Sequence, residues 1–168
     1  MRANDDVISP KASGSLIACR DINGAAHLIP VAKFLPRDAV YGVIHDQTGR
    51  ILVVRDRSAS VSWDLPGGGV EPAETHEETL RREVREETGL EVSGELSPMC
   101  NLLEYFFDIV TSSAWISHRF FYLVHASGDL HPDGNDQDIV SAKFIPPSEL
   151  ETLSPVTRQV LAMFGANG

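Results

Sequence analysis

Three carboxylate side chains lie within five residues of one another near the middle of the chain. An α-helix would place Glu83, Glu86 and Glu87 as neighbours, because residues three and four apart share one part of a helix surface. Like charges this close repel one another unless a cation lies between them. Mg²⁺ prefers oxygen ligands and is usually held by carboxylates together with the phosphates of a substrate. The spacing therefore predicts Mg²⁺, or Mn²⁺ in its place, acting on a phosphorylated molecule.

A glycine-rich loop and a predicted helix position these carboxylates. Residues 67–69 are all glycine, which allows the backbone to approach a ligand closely. Thr75, followed three residues later by Glu78, predicts a capping box at the start of the helix. Gly89 is placed to end the helix as its C-terminal cap. We therefore expect the acidic cluster on a short helix that follows a loop suited to contact with a pyrophosphate.

The apolar residues of this helix predict which side faces the protein core. Leu80 and Val84 are one helical turn apart and form a narrow apolar stripe. We expect Glu83 and Glu87 on the solvent side of the helix, where a substitution would leave the fold intact.

Residues 68–90 also fit a longer pattern: glycine, five residues, glutamate, seven residues, then Arg-Glu-apolar-any-Glu-Glu-any-Gly-apolar. Every fixed position is filled, by Gly68, Glu74, Arg82, Glu83, Val84, Glu86, Glu87, Gly89 and Leu90. The chain thus resembles the Nudix hydrolases. The resemblance implies hydrolysis of a nucleoside diphosphate linked to another group X. Nucleotide sugars, ADP-ribose, dinucleoside polyphosphates and modified nucleoside triphosphates all remain open as substrates.

The resemblance also implies roles for individual residues. Metal binding carries over most firmly to Glu83 and Glu87, and then to Glu86 and to the backbone carbonyl of Gly67. An arginine at the first position of the Arg-Glu pair would orient the glutamates without contacting the metal. The residues with such a supporting role would be Gly68, Glu74, Arg82 and Gly89.

The sequence leaves open which carboxylate accepts the proton of the attacking water. Glu83 and Glu86 are candidates on the helix, and Glu104 and Asp138 are candidates outside it. Glu104 lies in an apolar run, where a carboxylate costs free energy unless it is paired, bound to a metal or exposed at a sheet edge. Asp138 lies in a polar loop, where a solvated acid is the alternative explanation.

Two arginines precede the glycine loop and are candidates for phosphate binding. Arg55 and Arg57 follow a predicted strand, and guanidinium groups suit the geometry of phosphate. Ordinary surface arginines explain the same positions equally well. Arg119, in a later predicted strand, is a weaker candidate of the same kind.

Strand patterns surround this central segment. Apolar stretches at 15–19 and 26–31 flank an Asn-Gly turn, which predicts a hairpin. A second hairpin is predicted from 39–44 and 51–55. Further strands are predicted at 90–96, 102–110, 114–127 and 139–145, with a final helix at 156–164 that Ser154 caps.

This mixture of strands and helices predicts an α+β or mixed α/β fold, and the Nudix resemblance implies an α/β/α sandwich with a mixed sheet. We expect a disordered N-terminus at 1–14, a β-hairpin arm at 15–35 and a Nudix hydrolase domain at 36–168. A chain of 168 residues is long enough for one domain with a real core.

Composition limits the partners that we expect. A net charge of −10 argues against a nucleic-acid binder, which would need a basic surface. No apolar run approaches membrane-spanning length. Two distant cysteines fit a reducing cytoplasm. We expect a cytoplasmic monomer or homodimer that binds a small nucleotide substrate.

A non-catalytic nucleotide-sensing or protein-binding module with the same fold is the alternative to an enzyme. Such a module would be expected to lack one of the helix glutamates. All three are present, which favours the hydrolase.

Overall fold

The computed structural model describes residues 14–59, 62–135 and 137–165. Its strands are β1 Leu16–Arg20, β2 Ala26–Pro30, β3 Phe34–Ile44, β4 Ile51–Asp56, β5 Gly67–Gly69, β6 Glu91–Asp108, β7 Ser113–Ser127 and β8 Ile139–Ile145. The two helices are α1 His76–Thr88 and α2 Pro155–Gly165. The segment expected to be disordered, 1–14, lies outside the described residues except for Gly14.

Six strands form a mixed sheet in the order β2-β1-β6-β7-β3-β5. Strands β3 and β7 pair in parallel along their length, from Phe34 opposite Ala114 to Ile44 opposite Val124. On the other side of β7, the long strand β6 pairs antiparallel. The strands β4 and β8 form a separate antiparallel sheet of two strands.

Alternating side chains on β3 place the sheet between the two helices. Ala39, Tyr41 and Val43 belong to a core that also contains residues of α2. Val40 and Ile44 point the other way, into a core that contains the apolar stripe of α1. This period-2 alternation is what a strand covered on both faces requires. The fold is therefore the α/β/α sandwich with a mixed sheet that the resemblance implied.

The N-terminal hairpin is present, and we call residues 16–30 the arm. Strands β1 and β2 pair antiparallel. The carboxylate of Asp21 holds the turn between them, because it accepts hydrogen bonds from the backbone N–H groups of Asn23 at 2.9 Å and Ala25 at 3.0 Å. The arm joins the large sheet where Arg20 pairs with Phe106 of β6.

The second predicted hairpin is wrong in its pairing. β3 and β4 are joined by one bridge, between His45 and Ile51, and β4 then pairs with β8. The reason is that residues 51–54 are all buried. A strand with apolar side chains on both faces has to lie between two cores, and pairing with β8 places it there.

The strands predicted at 90–96 and 102–110 are one strand, β6. Its pairing with β7 shifts register between Ser93 and Ser97 and again between Pro98 and Cys100. Gly94 has a φ of 72°, and proline cannot donate a ladder hydrogen bond. These two residues interrupt the sequence pattern without ending the strand.

Candidate active site

Helix α1 has the two ends that its sequence predicts. The N–H of Glu78 donates to the hydroxyl of Thr75 at 3.2 Å, and the carboxylate of Glu78 accepts from the N–H of Thr75 at 2.8 Å. This is a complete capping box. Gly89 ends the helix with a φ of 77°, in the left-handed region. Both ends of the helix that carries the acidic residues are therefore fixed by local interactions.

The glycine loop lies between β3 and the acidic side of α1. A side chain at Gly67, whose φ is 146°, would place its Cβ 2.1 Å from the carbonyl oxygen of Val40. A Cβ at Gly68 would lie 2.6 Å from Oε1 of Glu83. Glycine is thus required at 67 by the sheet and at 68 by the helix carboxylate.

Glu87 is buried, which corrects the expectation that it faces solvent. Its exposed fraction is 6%, and its carboxylate accepts a hydrogen bond from the N–H of Gly67 at 2.9 Å. Burial raises the pKa of Glu87 well above its ordinary value, and this backbone hydrogen bond opposes the rise. The charges of Glu83, Asp138 and Asp64 raise the same pKa further. Glu87 therefore lies among carboxylates, where negative charge is unfavourable.

Glu83 lies at the margin of this acidic group. Its Oε1 atom is 2.8 Å from Nη1 of Arg82. Burial raises the pKa of Glu83, the Arg82 guanidinium opposes the rise, and the charges of Glu86 and Asp138 add to it. Glu83 is thus only partly neutralised by the protein.

The outer side of α1 carries an ion-pair network centred on Arg82. Its guanidinium contacts both carboxylate oxygens of Glu74, at 2.8 and 2.9 Å. The hydroxyl of Thr79 also donates to Glu74. These hydrogen bonds, that of Arg82 first, lower the pKa of Glu74 to about 2. Glu86 is half-exposed and lies 3.4 Å from Arg82.

A cavity of about 740 Å³ opens beside the acidic group. Its acidic lining includes Glu83, Glu87 and Asp138, and Glu104 and Asp64 also line it. The basic side chains along the same cavity are Arg20, Arg37, Arg57 and Arg119. A pocket of this size suits a nucleotide-sized ligand.

The structure separates the two arginines predicted to bind phosphate. Arg57 lines the cavity, and its Nε donates to the backbone carbonyl of Gln137 at 2.9 Å. The guanidinium of Arg55 lies over the ring of Trp63, at 5.3 Å from its centre, and does not line the cavity. Arg57 is therefore the member of the pair that is placed to meet a ligand.

Arg119 connects several polar groups of the cavity. It donates to the hydroxyl of Tyr41 at 2.9 Å and lies 3.0 Å from Oε2 of Glu104 and 3.9 Å from Asp64. Burial raises the pKa of Glu104, and the nearby Arg119 charge opposes that rise. Sequence reasoning gave Arg119 little weight and missed Arg37, Tyr41 and Asp64. The alternation along β3 is a signal that could have placed Arg37, Ala39 and Tyr41 on one face.

The donor set fits a hard divalent cation. Within the described parts of the chain, no three acidic, histidine or cysteine side chains converge tightly enough to form a preassembled metal site. The chemistry still suits one, because Glu83 and Glu87 offer carboxylate oxygens beside the glycine backbone and both have raised pKa values. A cation between them would relieve the repulsion that the protein leaves uncompensated.

Comparison with known proteins agrees with the Nudix resemblance of residues 68–90. A family model described as the NUDIX domain matches residues 35–164. A nucleoside triphosphatase, NudI, from Salmonella paratyphi B is 34% identical over 110 residues, which are 61% of this chain and 76% of that protein. A MutT-like protein from Streptomyces ambofaciens is 46% identical over 54 residues, which are 32% of this chain. The matched part spans about a third, 34%, of the Streptomyces protein.

Solved structures show the same fold. A MutT NUDIX hydrolase from Burkholderia pseudomallei has a TM-score of 0.59 and 25% identity, covering 76% of this chain and 97% of that chain. A NUDIX hydrolase from Nitrosomonas europaea has a TM-score of 0.63 and 23% identity, covering 79% of this chain and 90% of that chain. In the part of the chain that the structure describes, no helix is long and apolar enough to cross a membrane.

Proposed function

The chain belongs to the Nudix family, and from that premise we propose that it is a Mg²⁺-dependent hydrolase that cleaves a phosphoanhydride bond of a nucleoside triphosphate. The observation that carries the proposal is the position of Glu87. It is buried among other carboxylates, and its hydrogen bond from Gly67 does not cancel the effect of burial on its pKa. A bound cation and the phosphates of a substrate would complete this arrangement.

We assign the metal to Glu83 and Glu87, with the backbone carbonyl of Gly67 and the side chain of Glu86 as further candidate ligands. Mg²⁺ supplies positive charge against the phosphate oxygens when it is bound. Glu86 has the weakest support, because its side chain is 49% exposed and lies near Arg82 instead of along the cavity. Mn²⁺ offers the same kind of oxygen-ligand chemistry.

The residues of the chain bind and orient the substrate around that centre. Arg57 and Arg119 line the cavity and supply the positive charge that an anionic ligand needs in a protein of net charge −10. Arg82 holds Glu83 from the outer side of the helix while it is itself held by Glu74. Gly68 leaves room for the Glu83 carboxylate.

The proton of the attacking water has two candidate acceptors outside the helix. Asp138 lines the cavity, and its charge raises the pKa values of both Glu83 and Glu87. Glu104 also lines the cavity, but it lies 3.0 Å from Arg119, a permanent cation that stabilises its charged form. These neighbours support Asp138 more strongly than Glu104 for the role of base.

The choice of a nucleoside triphosphate rests on the Salmonella relative, which is named a nucleoside triphosphatase. Nucleotide sugars, ADP-ribose and dinucleoside polyphosphates are the competing substrates. The test is a turnover screen over all four classes with Mg²⁺, followed by product analysis in ¹⁸O-labelled water. We expect cleavage between phosphates, label in one phosphate product and complete loss of activity in excess EDTA. Activity that persists in EDTA would contradict the metal mechanism.

The alternative is a module that binds a nucleotide and does not turn it over. The same screen separates the two functions. Tight Mg²⁺-dependent binding without any product across the panel would favour the binding module, whereas product formation would exclude it.

A further inference from the structure

Three polar side chains form a row across the floor of the cavity, and we call Arg37, Ser117 and Glu104 the polar row. They lie on adjacent strands, since Arg37 of β3 is opposite Ser117 of β7, and Ser117 is opposite Glu104 of β6. All three line the cavity. Side chains directly opposite one another in adjacent strands point to the same face of a sheet, so the row is continuous.

Each member of the polar row has a buried polar atom that lacks a hydrogen-bond partner within the described residues. These atoms are Nε of Arg37, Oγ of Ser117 and Oε2 of Glu104. Ser117 is only 2% exposed. Oε2 of Glu104 lies at ion-pair distance from Arg119 but not in hydrogen-bond geometry. Buried polar atoms are nearly always satisfied, so a row of unsatisfied ones that lines a cavity indicates a ligand.

The position of the polar row along β3 relates it to the candidate metal centre. Tyr41 is paired with Gly67, whose N–H donates to Glu87. Arg37 lies four residues earlier on the same strand, which is about 13 Å away at about 3.3 Å per residue. Arg119 lies between these two points, because its partner in β3 is Ala39. A nucleotide with its phosphates at the glutamates and Arg119 would extend its other end towards the polar row.

At the far end of the cavity, residues that precede the matched domain of 35–164 contribute to the lining. Arg20 and Ile22 of the arm line it, next to Phe106 of β6. The turn of the arm is also held across the cavity rim, where the side chain of Asn23 donates to the carbonyl of Ser58 at 3.2 Å. An aromatic ring and an aliphatic side chain beside a polar row suit a flat heterocycle with a polar edge.

We propose that the polar row and the turn of the arm form the subsite for the nucleobase of the substrate. Arg37 and Ser117 donate hydrogen bonds to acceptors on the base edge, Glu104 accepts from an N–H of the base, and Ile22 closes the end of the subsite. The inference rests on the proposed function only in taking the ligand to be a nucleotide. It assigns base selection to residues that lie outside the glycine loop and helix α1.

The test measures binding in EDTA, without metal or turnover. The probes are the 5′-monophosphates of guanosine, adenosine, cytidine and uridine, each compared with ribose 5-phosphate, which lacks a base. We expect the best nucleotide to bind at least about tenfold more tightly than ribose 5-phosphate, which corresponds to one or two well-formed hydrogen bonds. A ratio near one in the native protein would overturn the proposal.

Substitutions then locate the subsite. Arg37→Met retains the length of the side chain, and Ser117→Ala removes only the hydroxyl, so both should fold. We expect each to reduce the ratio at least about fivefold, while Ser127→Ala, an exposed serine of the same strand, leaves it unchanged. In the arm, Ile22→Ala should reduce the ratio and Leu28→Ala, which is 68% exposed, should not. An unchanged ratio in both Arg37→Met and Ser117→Ala would reject the subsite.

The outcomes also separate this inference from the proposed hydrolysis. Mg²⁺-dependent hydrolysis without any preference for a base would reject the subsite alone. Base-dependent binding without hydrolysis would reject the hydrolase and leave the subsite in place.

Discussion

Two glutamates that line the same cavity, the buried Glu87 and the partly buried Glu104, differ in how the protein compensates their charge. Glu104 on the sheet lies 3.0 Å from Arg119. Glu87 on helix α1 has a single backbone N–H, from Gly67, and is otherwise influenced by other carboxylates. Burial raises the pKa values of both. A charge that the chain neutralises itself can be structural or recognise a ligand, whereas a charge left among like charges indicates that the compensating cation comes from outside.

The largest expected effect follows from removing the uncompensated charge. Glu87→Gln preserves shape and should lower turnover by about 10³-fold, because a metal contributes several kcal/mol to charge stabilisation. Since the charge is unfavourable without a cation, we expect the melting temperature in EDTA to stay the same or rise. The stabilisation by Mg²⁺ should be lost. Turnover assays and thermal melts with and without Mg²⁺ measure both effects.

The half-exposed Glu86 is the control for this prediction. Glu86→Gln should have a smaller effect on turnover and should retain the stabilisation by Mg²⁺. A Glu87→Gln variant with near-native activity and Mg²⁺ affinity would remove Glu87 from the metal centre and end the contrast with Glu104.

The second prediction compares the two candidate bases. Asp138→Asn should lower kcat by about 10²–10⁴-fold, the usual range for a general base. Glu104→Gln should mainly raise KM, because we place Glu104 beside the nucleobase of the substrate. Steady-state kinetics on the best substrate separates the two. The reverse ranking would give the catalytic role to Glu104, and two mild effects would give it to Glu83 or Glu86.

The third prediction uses the glycine loop to displace a carboxylate without removing it. Gly68→Ala would place a methyl group 2.6 Å from Oε1 of Glu83, so we expect Mg²⁺ affinity to fall by about tenfold. At Gly69 the nearest atom to an added Cβ is 3.6 Å away, an ordinary contact. Gly69→Ala should therefore bind Mg²⁺ normally. Mg²⁺ affinity is measured by calorimetry. Equal affinities for the two variants would show that Mg²⁺ binding does not depend on the present position of the Glu83 carboxylate.

The smallest effect concerns the compensated network on the outer side of α1. Arg82 and Thr79 lower the pKa of Glu74 to about 2, from an ordinary value of 4.5. Glu74 then contributes stability above about pH 4.5, and this contribution is lost as pH falls towards 2. Between these pH values the unfolded state binds the proton and the folded state does not, so lowering the pH favours unfolding. The stability of the Glu74→Gln variant should therefore fall less than that of the native protein between pH 4.5 and 2.

Thermal melts between pH 2 and 7 compare that variant with Glu77→Gln, which removes an exposed ion pair with Arg81 on the same helix. We expect the Glu77→Gln profile to follow the native one. A Glu74→Gln profile that also follows the native one would contradict the assignment of Glu74 to the network.

Local signals in the sequence predicted the local features of the site. The capping box of Thr75 and Glu78 and the left-handed Gly89 depend on a few neighbouring residues, and the structure has both. The burial of Glu87 was not predicted, because the glycine loop that covers it comes from a distant contact with β3. An apolar stripe describes one side of a helix and cannot reveal what covers the other side.

Non-local pairing explains the remaining errors. Arg119 meets Tyr41 and Glu104 only because β7 lies between β3 and β6. Arg37 and Ser117 are neighbours for the same reason, and no short sequence pattern connects them. Arg55 and Arg57 are two residues apart, so regular strand alternation would place both on one face. The pairing of β4 shifts register between Arg55 and Asp56, and the strand ends there, so Arg57 leaves the strand and lines the cavity while Arg55 lies over Trp63.

The parallel pairing of β3 with β7 also sets an order of events during synthesis. Phe34 meets Ala114, about 80 positions later in the chain. At the usual rate of translation, β3 waits roughly 4–16 s for this partner after it has emerged from the ribosome. The glycine loop and helix α1 are already available during that interval. The glutamates proposed to bind the metal can therefore be positioned first, and the floor of the proposed base subsite is completed only when β7 arrives.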